Sequence, residues 1–299
     1  NKMKVNIIGG SGYVGGELIR LLLAHPKVQL NQVTSESNEG KFIHTIHPNL
    51  RKKTDLKFSG IKDLEKCDLL FLALPHGMAM NRINDFMKIS KKIIDLSADF
   101  RLKNAEDYEK WYDKKHPAQN LLEKFVYGIP ELHREEMKNT DLISSAGCNA
   151  TATILALYPL FKNSIVEKNV VVEVKAGSSE AGNKPNLASH HPERSGCVRS
   201  FKPTGHRHIA EILQELSFNE KPEIHFSATS IEMVRGILAT CHVFLKKDME
   251  EKDIWKIFRQ EYGNEPFIRI VKDKQGIYRY PEPKLLSGTN YCDIGFEKD

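Results

Sequence analysis

The sequence is short of the features that define several protein classes. Nowhere in its 299 residues does an apolar run approach the roughly 20 residues that a membrane-spanning helix needs, which excludes a helical membrane protein. The opening, NKMKVNIIGG, goes straight into a strand pattern with no signal-peptide core. Cysteine is sparse: five residues, an odd number, scattered at positions 67, 148, 197, 241 and 292. That excludes a disulfide framework and favours free thiols in a reducing cytoplasm. No CxxC or HExxH spacing links Cys197, His190, His191, His206 and His208, so no metal site is expected. Charge of neither sign dominates: 44 Lys and Arg against 39 Asp and Glu leave a net +5. Basic runs at Arg51-Lys52-Lys53 and across Lys88, Lys91 and Lys92 lack interleaved aromatics and read as solvated faces rather than a nucleic-acid groove. There is no internal repeat and no low-complexity linker.

What is present is a βα alternation. The stretch KVNIIGGSGYVGGELIRLLLAHP reads as an apolar strand, a glycine-rich turn and an amphipathic helix with Leu18, Leu21 and Leu22 on one face. Further strands are expected at 29–35, 68–74, 92–96 and 141–145, a pattern that predicts an α/β, doubly wound parallel sheet of the Rossmann type. From about residue 165 the pattern changes to longer strands of period two, VEKNVVVEVKAG, EIHFSATSI and GILATCHVFL, among helices HIAEILQEL and EKDIWKIFRQEYG. This predicts an α+β second domain. The expected organisation is a dinucleotide-binding domain at 1–147 and a catalytic domain at 148–299, in line with about 150 residues per domain.

Gly9, Gly12 and Gly15 are spaced GxxGxxG at the first βα turn, where glycine permits a close backbone approach to a pyrophosphate and the helix N-terminus offers free N–H groups. The alternative is simple tight helix packing. At the end of the second strand TSESNEGK offers the Ser35 and Ser37 hydroxyls and Lys41, suited to a 2′-phosphate, but also Glu36, suited to a free 2′-OH. The choice between NADP and NAD stays open on these residues.

In SSAGCNATAT, Cys148 follows a strand and opens an apolar helix. A thiol there has its thiolate stabilised by the helix dipole and by free amides, which also serve an oxyanion. The competing reading is a small buried side chain. TGHRHIAEILQEL places His206 and His208 before a helix, as an acid/base or as helix-capping histidines. Arg101 in DLSADFR follows a strand's carboxyl end, and Arg199, Arg207 and Arg235 lie in later loops. Together they suit an anionic substrate.

GGSGYVGGEL, FLALPHG, IDLSADFR, VYGIPEL, AGCNATATILAL, GHRHIAEI, RGILATC and SGTNYCDI occur in this order, and the chain resembles the N-acetyl-γ-glutamyl-phosphate reductase family, more distantly aspartate-semialdehyde dehydrogenase. The resemblance implies a dimerising catalytic domain and NADP(H)-dependent reduction of an acyl phosphate to a semialdehyde. It implies Cys148 as nucleophile and His206 as acid/base. Ser11, Gly12, Tyr13 and Val14 fall at the pyrophosphate, Ser35, Glu36 and Ser37 at the adenosine, and Pro75, His76 and Ser178 elsewhere along the cofactor. Arg101, Asn149, His208 and Arg235 fall toward the substrate.

Asn149 and Ala150 stand where arginine-pathway members commonly carry tyrosine and proline. GCNAT resembles the branch acting on aminoadipyl or glutamyl phosphate attached to a small acidic amino-group carrier protein. The alternative is the same reaction on free N-acetylglutamyl phosphate; a catalytically silent dinucleotide sensor is a remoter one. Family members continue beyond CDIGF with a segment that returns to the nucleotide domain, and a homodimer or homotetramer is the implied assembly.

Overall fold

The computed structural model describes residues 1–299. The chain divides into two compact units, Asn1–Ala146 and Gly147–Asp299. The first contains β1 (Met3–Ile8), α1 (Tyr13–Ala24), β2 (Val28–Val33), α2 (Ile43–Ile46), β3 (Leu69–Leu72), α3 (Met78–Ile89), β4 (Lys92–Asp95), α4 (Ala105–Tyr112), β5 (Val126–Gly128), α5 (Pro130–Lys138) and β6 (Leu142–Ser145). Its six strands lie in the order β2-β1-β3-β4-β6-β5, and every neighbouring pair is parallel. Chain direction along the sheet reverses at β1, so the crevice outside the carboxyl ends of β1 and β3 is the topological switch point where such sheets bind ligands.

Helices cover the faces of this sheet, so its strands are short and apolar. Val5, Ile7, Ile8, Leu70, Leu72 and Ile93 are all fully buried. Val5, Ile7, Val33, Ile19 and Leu22 pack with Ile43, Leu50 and Phe58 from the segment after β2. Each such side chain contributes about 1.5–3 kcal/mol by leaving water. The buried stripe of α1 is Gly15, Ile19 and Leu22. Leu21, expected on that face, is 55% exposed. At 100° per residue it stands a quarter turn away from Leu22, and the stripe is centred on Ile19 instead. β5 has only three residues, too few for a periodic signal, and is held as an edge strand by β6.

The second unit contains α6 (Cys148–Lys162), β7 (Asn169–Ala176), α7 (His191–Arg194), β8 (Val198–Lys202), α8 (His208–Leu216), β9 (Glu223–Ile231), β10 (Ile237–His242), α9 (Glu251–Tyr262), β11 (Ile268–Ile270) and β12 (Cys292–Ile294). Its main sheet has the order β10-β7-β9-β8, mixed in direction, with β7 and β9 parallel at the centre. Strand β7 shows why the period-two pattern formed it: Val170, Val172, Val174 and Ala176 are buried while Val171 on the opposite face is 46% exposed. One sheet face therefore carries the core and the other is open. No helix is long and apolar enough to cross a membrane.

Candidate active site

The glycine-rich turn sits at the carboxyl end of β1. Gly9 has φ +86°, and a Cβ there would lie 2.5 Å from the Ala73 carbonyl oxygen, so only glycine brings β1 this close to the end of β3. A Cβ on Gly15 would lie 2.7 Å from Gly10 backbone atoms. Gly12 differs. It is the N-cap of α1, has no side chain with which to cap it, and a Cβ there would meet nothing within 4 Å. The first-turn amides of α1 thus face open space flanked by exposed Tyr13 and Val14, with Ser11 half-buried just before them. This cradle fits a pyrophosphate. His47, which sequence reasoning did not single out, supports it: its Nε2 is 2.7 Å from the Gly10 carbonyl, and its ring fills the space a Cβ on Gly16 would need. The doubled glycine at 15 and 16 was the available signal.

At the end of β2, Ser35 is buried and its Oγ accepts a hydrogen bond from Asn38, which also binds Ser37 Oγ. Glu36 and Ser37 are exposed, and Lys41 donates to Asn38. At the end of β3, Pro75 and His76 are exposed on the turn into α3, and His76 Nδ1 accepts from the Ala98 amide at 2.9 Å. Arg101 belongs to the same unit but is buried, its Nε donating to the Ser145 carbonyl at 2.8 Å and its Nη2 to that of Leu96 at 3.3 Å. These bonds brace the ends of β4 and β6 against one another. Asp95, beside it, is fully buried, and burial pushes its carboxyl up to about 7 against the pull of bonds from Ser97.

In the second unit Cys148 is exposed and is the first residue of α6, with Gly147 as N-cap. The chain therefore presents a thiol at a helix N-terminus, where the helix dipole favours an anion. Gly147 is held from α8. Its amide donates to Glu211 Oε1 at 2.8 Å, and a Cβ on it would lie 2.6 Å from His208 Nε2 and 2.9 Å from Glu211 Oε2. Glu211 is 1% exposed. Its position between Ala210 and Ile212 in the buried stretch of α8 was the signal that could have found it. Asn149 is buried behind the thiol, its Oδ1 3.9 Å from Cys148 Sγ, and the Thr151 hydroxyl donates to the Gly147 carbonyl.

His206 packs against Phe226 with the rings tilted and their centroids 5.1 Å apart, and lies 4.6 Å from the His208 ring. Its Nδ1 accepts from the His208 amide at 3.0 Å, so the neutral ring carries its proton on Nε2. Burial, with the nearby His208 and Arg207 charges, holds its pKa down to about 4. Neutral pH therefore finds a neutral imidazole with an Nε2–H to donate. Ser178 follows β7 on a turn whose amides bind the carbonyls of Met233 and Gly236. The exposed Arg235 lies in that partner loop, so these two expected contacts come together. Arg51, Lys52 and Lys53 are exposed on the first unit. Among the other cysteines, Cys241 lies in β10 and burial pushes its thiol up to about 12, as suits an inert side chain. No group of three His, Cys, Asp or Glu residues is placed to hold a metal ion.

Solved structures share the fold. Aspartate semialdehyde dehydrogenase II from Vibrio cholerae superposes with TM-score 0.73 at 14% identity, covering 99% of this chain and 88% of its own. The Candida albicans aspartate semialdehyde dehydrogenase with NADP superposes with TM-score 0.70 at 12% identity, covering 99% and 89%. Residues 4–140 match the semialdehyde dehydrogenase NAD-binding domain and residues 148–299 match the semialdehyde dehydrogenase dimerisation domain. The chain belongs to the semialdehyde dehydrogenase family and is an oxidoreductase that uses a nicotinamide cofactor. A relative in Thermomicrobium roseum is 55% identical over 99% of this chain and 85% of its own length. The LysW-L-2-aminoadipate 6-phosphate reductase of Deinococcus radiodurans is 50% identical over 100% and 85%. The LysW-L-2-aminoadipate/LysW-L-glutamate phosphate reductase of Saccharolobus solfataricus is 47% identical over 99% and 85%.

Proposed function

We propose that the protein reduces an acyl phosphate carried on an acidic amino-group carrier protein of the LysW kind, aminoadipyl or glutamyl phosphate, to the semialdehyde with release of phosphate, using NADPH. The observation that carries this reading is the exposed Cys148 thiol at the head of α6, with Gly147 clamped by Glu211 and roofed by His208. The substrate class is supported by the names of the Deinococcus and Saccharolobus relatives. Gly9, Ser11, Gly12, Tyr13, Val14 and Gly15 would hold the pyrophosphate, Ser35, Glu36 and Ser37 the adenosine end, and Pro75, His76 and Ser178 further parts of the cofactor.

The Cys148 thiolate attacks the acyl-phosphate carbonyl carbon. A C–S bond forms, the C–O bond to phosphorus breaks, and inorganic phosphate leaves behind a thioester. NADPH held at the glycine-rich turn would supply the hydride that takes this thioester to the aldehyde level. His206 donates a hydrogen bond from its Nε2–H to the developing oxyanion and keeps its proton, a role that its amide-fixed tautomer and low basicity suit better than abstraction of the thiol proton. The hemithioacetal then collapses, the C–S bond breaks, and Cys148 recovers the thiolate. Arg235, Asn149 and His208 are the groups for the substrate and phosphate, while Arg101, its guanidinium held by the Ser145 and Leu96 carbonyls, braces the strand ends of its own unit.

The basic Arg51-Lys52-Lys53 cluster steers the acidic carrier by long-range attraction. Reversal of these three charges should remove the salt dependence of turnover, and an unchanged dependence would dismiss the cluster. The open face of the β7–β10 sheet pairs with a second copy in a homodimer or homotetramer. Five free thiols suit a reducing cytoplasm. The test is NADPH oxidation with glutamyl and aminoadipyl phosphates, each offered free as the N-acetyl form and attached to the carrier. Turnover confined to the carrier-bound forms supports the proposal. Turnover confined to free N-acetylglutamyl phosphate replaces it with the ordinary arginine-route reaction.

A further inference from the structure

The turn between β3 and α3 is built from outside itself. Gly77, the N-cap of α3, has φ +90° and no side chain to cap the helix. Asp99, twenty-two residues on and fully buried in the turn after β4, does so instead: its Oδ1 accepts from the Gly77 amide at 2.7 Å and its Oδ2 from the Met80 amide at 3.0 Å. The next residue back, Ala98, donates its amide to His76 Nδ1 at 2.9 Å. Residues 76 and 77 are thus fastened at two points to residues 98 and 99.

Asp99 is itself fixed on every side. Its carbonyl accepts from the buried His116 Nε2 at 2.8 Å, and His116 Nδ1 accepts from Ala118, which places the ring proton on Nε2. Its amide donates to Ser97 Oγ at 3.2 Å, and that hydroxyl donates to Asp95 Oδ2 at 2.8 Å. Two backbone N–H groups on one carboxylate form a charge-assisted pair, stronger than neutral hydrogen bonds and aligned with the helix dipole. A polar cluster this complete is far more than α3 needs for a cap.

Its location supplies the purpose. The adenosine of a dinucleotide goes to the end of β2 and the pyrophosphate to the head of α1, so the remaining, nicotinamide half crosses the switch point onto the β3–β4 side. A Cβ on Gly9 would already strike the Ala73 carbonyl there. We infer that Asp99 is a positioning residue for the nicotinamide half of the cofactor: by holding the His76-Gly77 turn it fixes the surface on which that half rests, without touching the cofactor itself. This rests on the dinucleotide site proposed above.

The test compares two ligands in equilibrium binding to the full chain. NADPH carries the nicotinamide; 2′-phospho-ADP-ribose carries everything but that ring. Asp99→Asn keeps the shape but turns an NH₂ toward one of two amide donors. The expected result is NADPH affinity lowered about tenfold with 2′-phospho-ADP-ribose affinity unchanged within about twofold, a selective loss that a general packing defect does not produce. Equal weakening of both ligands, or of neither, overturns the inference. Should Asp99→Asn not fold, Ser97→Ala loosens Asp99 more gently and is expected to give the same selectivity at about threefold; no selectivity in that variant overturns the inference equally. A wild-type chain that binds neither ligand would instead sink the cofactor site itself, so the two failures are told apart.

Discussion

The two helix N-termini that matter in this protein are built alike and used in opposite ways. Both α1 and α6 follow a strand, and both have a glycine N-cap with no side-chain hydrogen bond. At α1 the Cβ that Gly12 lacks would enter empty space. At α6 the Cβ that Gly147 lacks would strike His208 and Glu211. The first glycine keeps a place open for an anion from solution. The second lets the protein's own imidazole and carboxylate close over the chain and fix the residue before a nucleophile. One local device thus yields a ligand cradle or a preorganised thiol, depending on what packs above it.

The sharpest way to separate the two is through the thiol. Cys148→Ser should lower turnover by roughly 10³-fold or more while leaving NADPH affinity unchanged, measured by steady-state kinetics and by fluorescence titration. A parallel loss of NADPH affinity would mean that the two sites are not independent. His206→Ala, which removes the Nε2–H donor, should cost about 10²-fold in turnover, within the usual range for loss of one oxyanion donor. Turnover within twofold of wild type would remove His206 from the chemistry.

The glycines give the paired test. Gly147→Ala should destabilise the protein by about 1–3 kcal/mol in denaturant unfolding, because the added methyl overpacks against His208 and Glu211. Gly12→Ala has φ −84° and open space, so it should leave stability within about 1 kcal/mol of wild type or raise it, yet weaken dinucleotide binding. If the two substitutions behave alike, the contrast between the helix heads is wrong.

The smallest effect is a pH dependence in which burial acts with opposite signs. Asp95 is raised from 3.8 to about 7, so the folded state holds its proton where the unfolded chain has lost it, and its contribution to stability falls as pH rises from about 4 to 7. His206 is lowered from 6.5 to about 4, so its contribution is present above about 6.5 and is lost as pH falls toward 4. Asp95→Asn should therefore gain stability relative to wild type between pH 5 and pH 8, by one to a few kcal/mol on the order of 1.4 per pH unit. His206→Gln should gain relative to wild type on going from pH 7 to pH 5. Unfolding curves at three pH values check both signs.

Periodicity and glycine spacing alone made the sheet-and-helix opening, the change of pattern in the second half and the position of Cys148 legible. These are local properties: a strand of alternating or continuous apolar residues, a turn that only glycine permits, and a helix that begins where a strand ends. The ordered motifs carried the reaction class as well. Sequence could not show what stands over each glycine, since Glu211 reaches Gly147 from sixty-four residues away and Asp99 reaches Gly77 from twenty-two. Nor could it show that Arg101, which follows a strand end as a substrate ligand might, buries its guanidinium on the carbonyls of Ser145 and Leu96. A charged side chain is committed to whichever partners folding brings within about 3 Å, and that distance is set by packing between elements remote in sequence, a quantity no local pattern encodes.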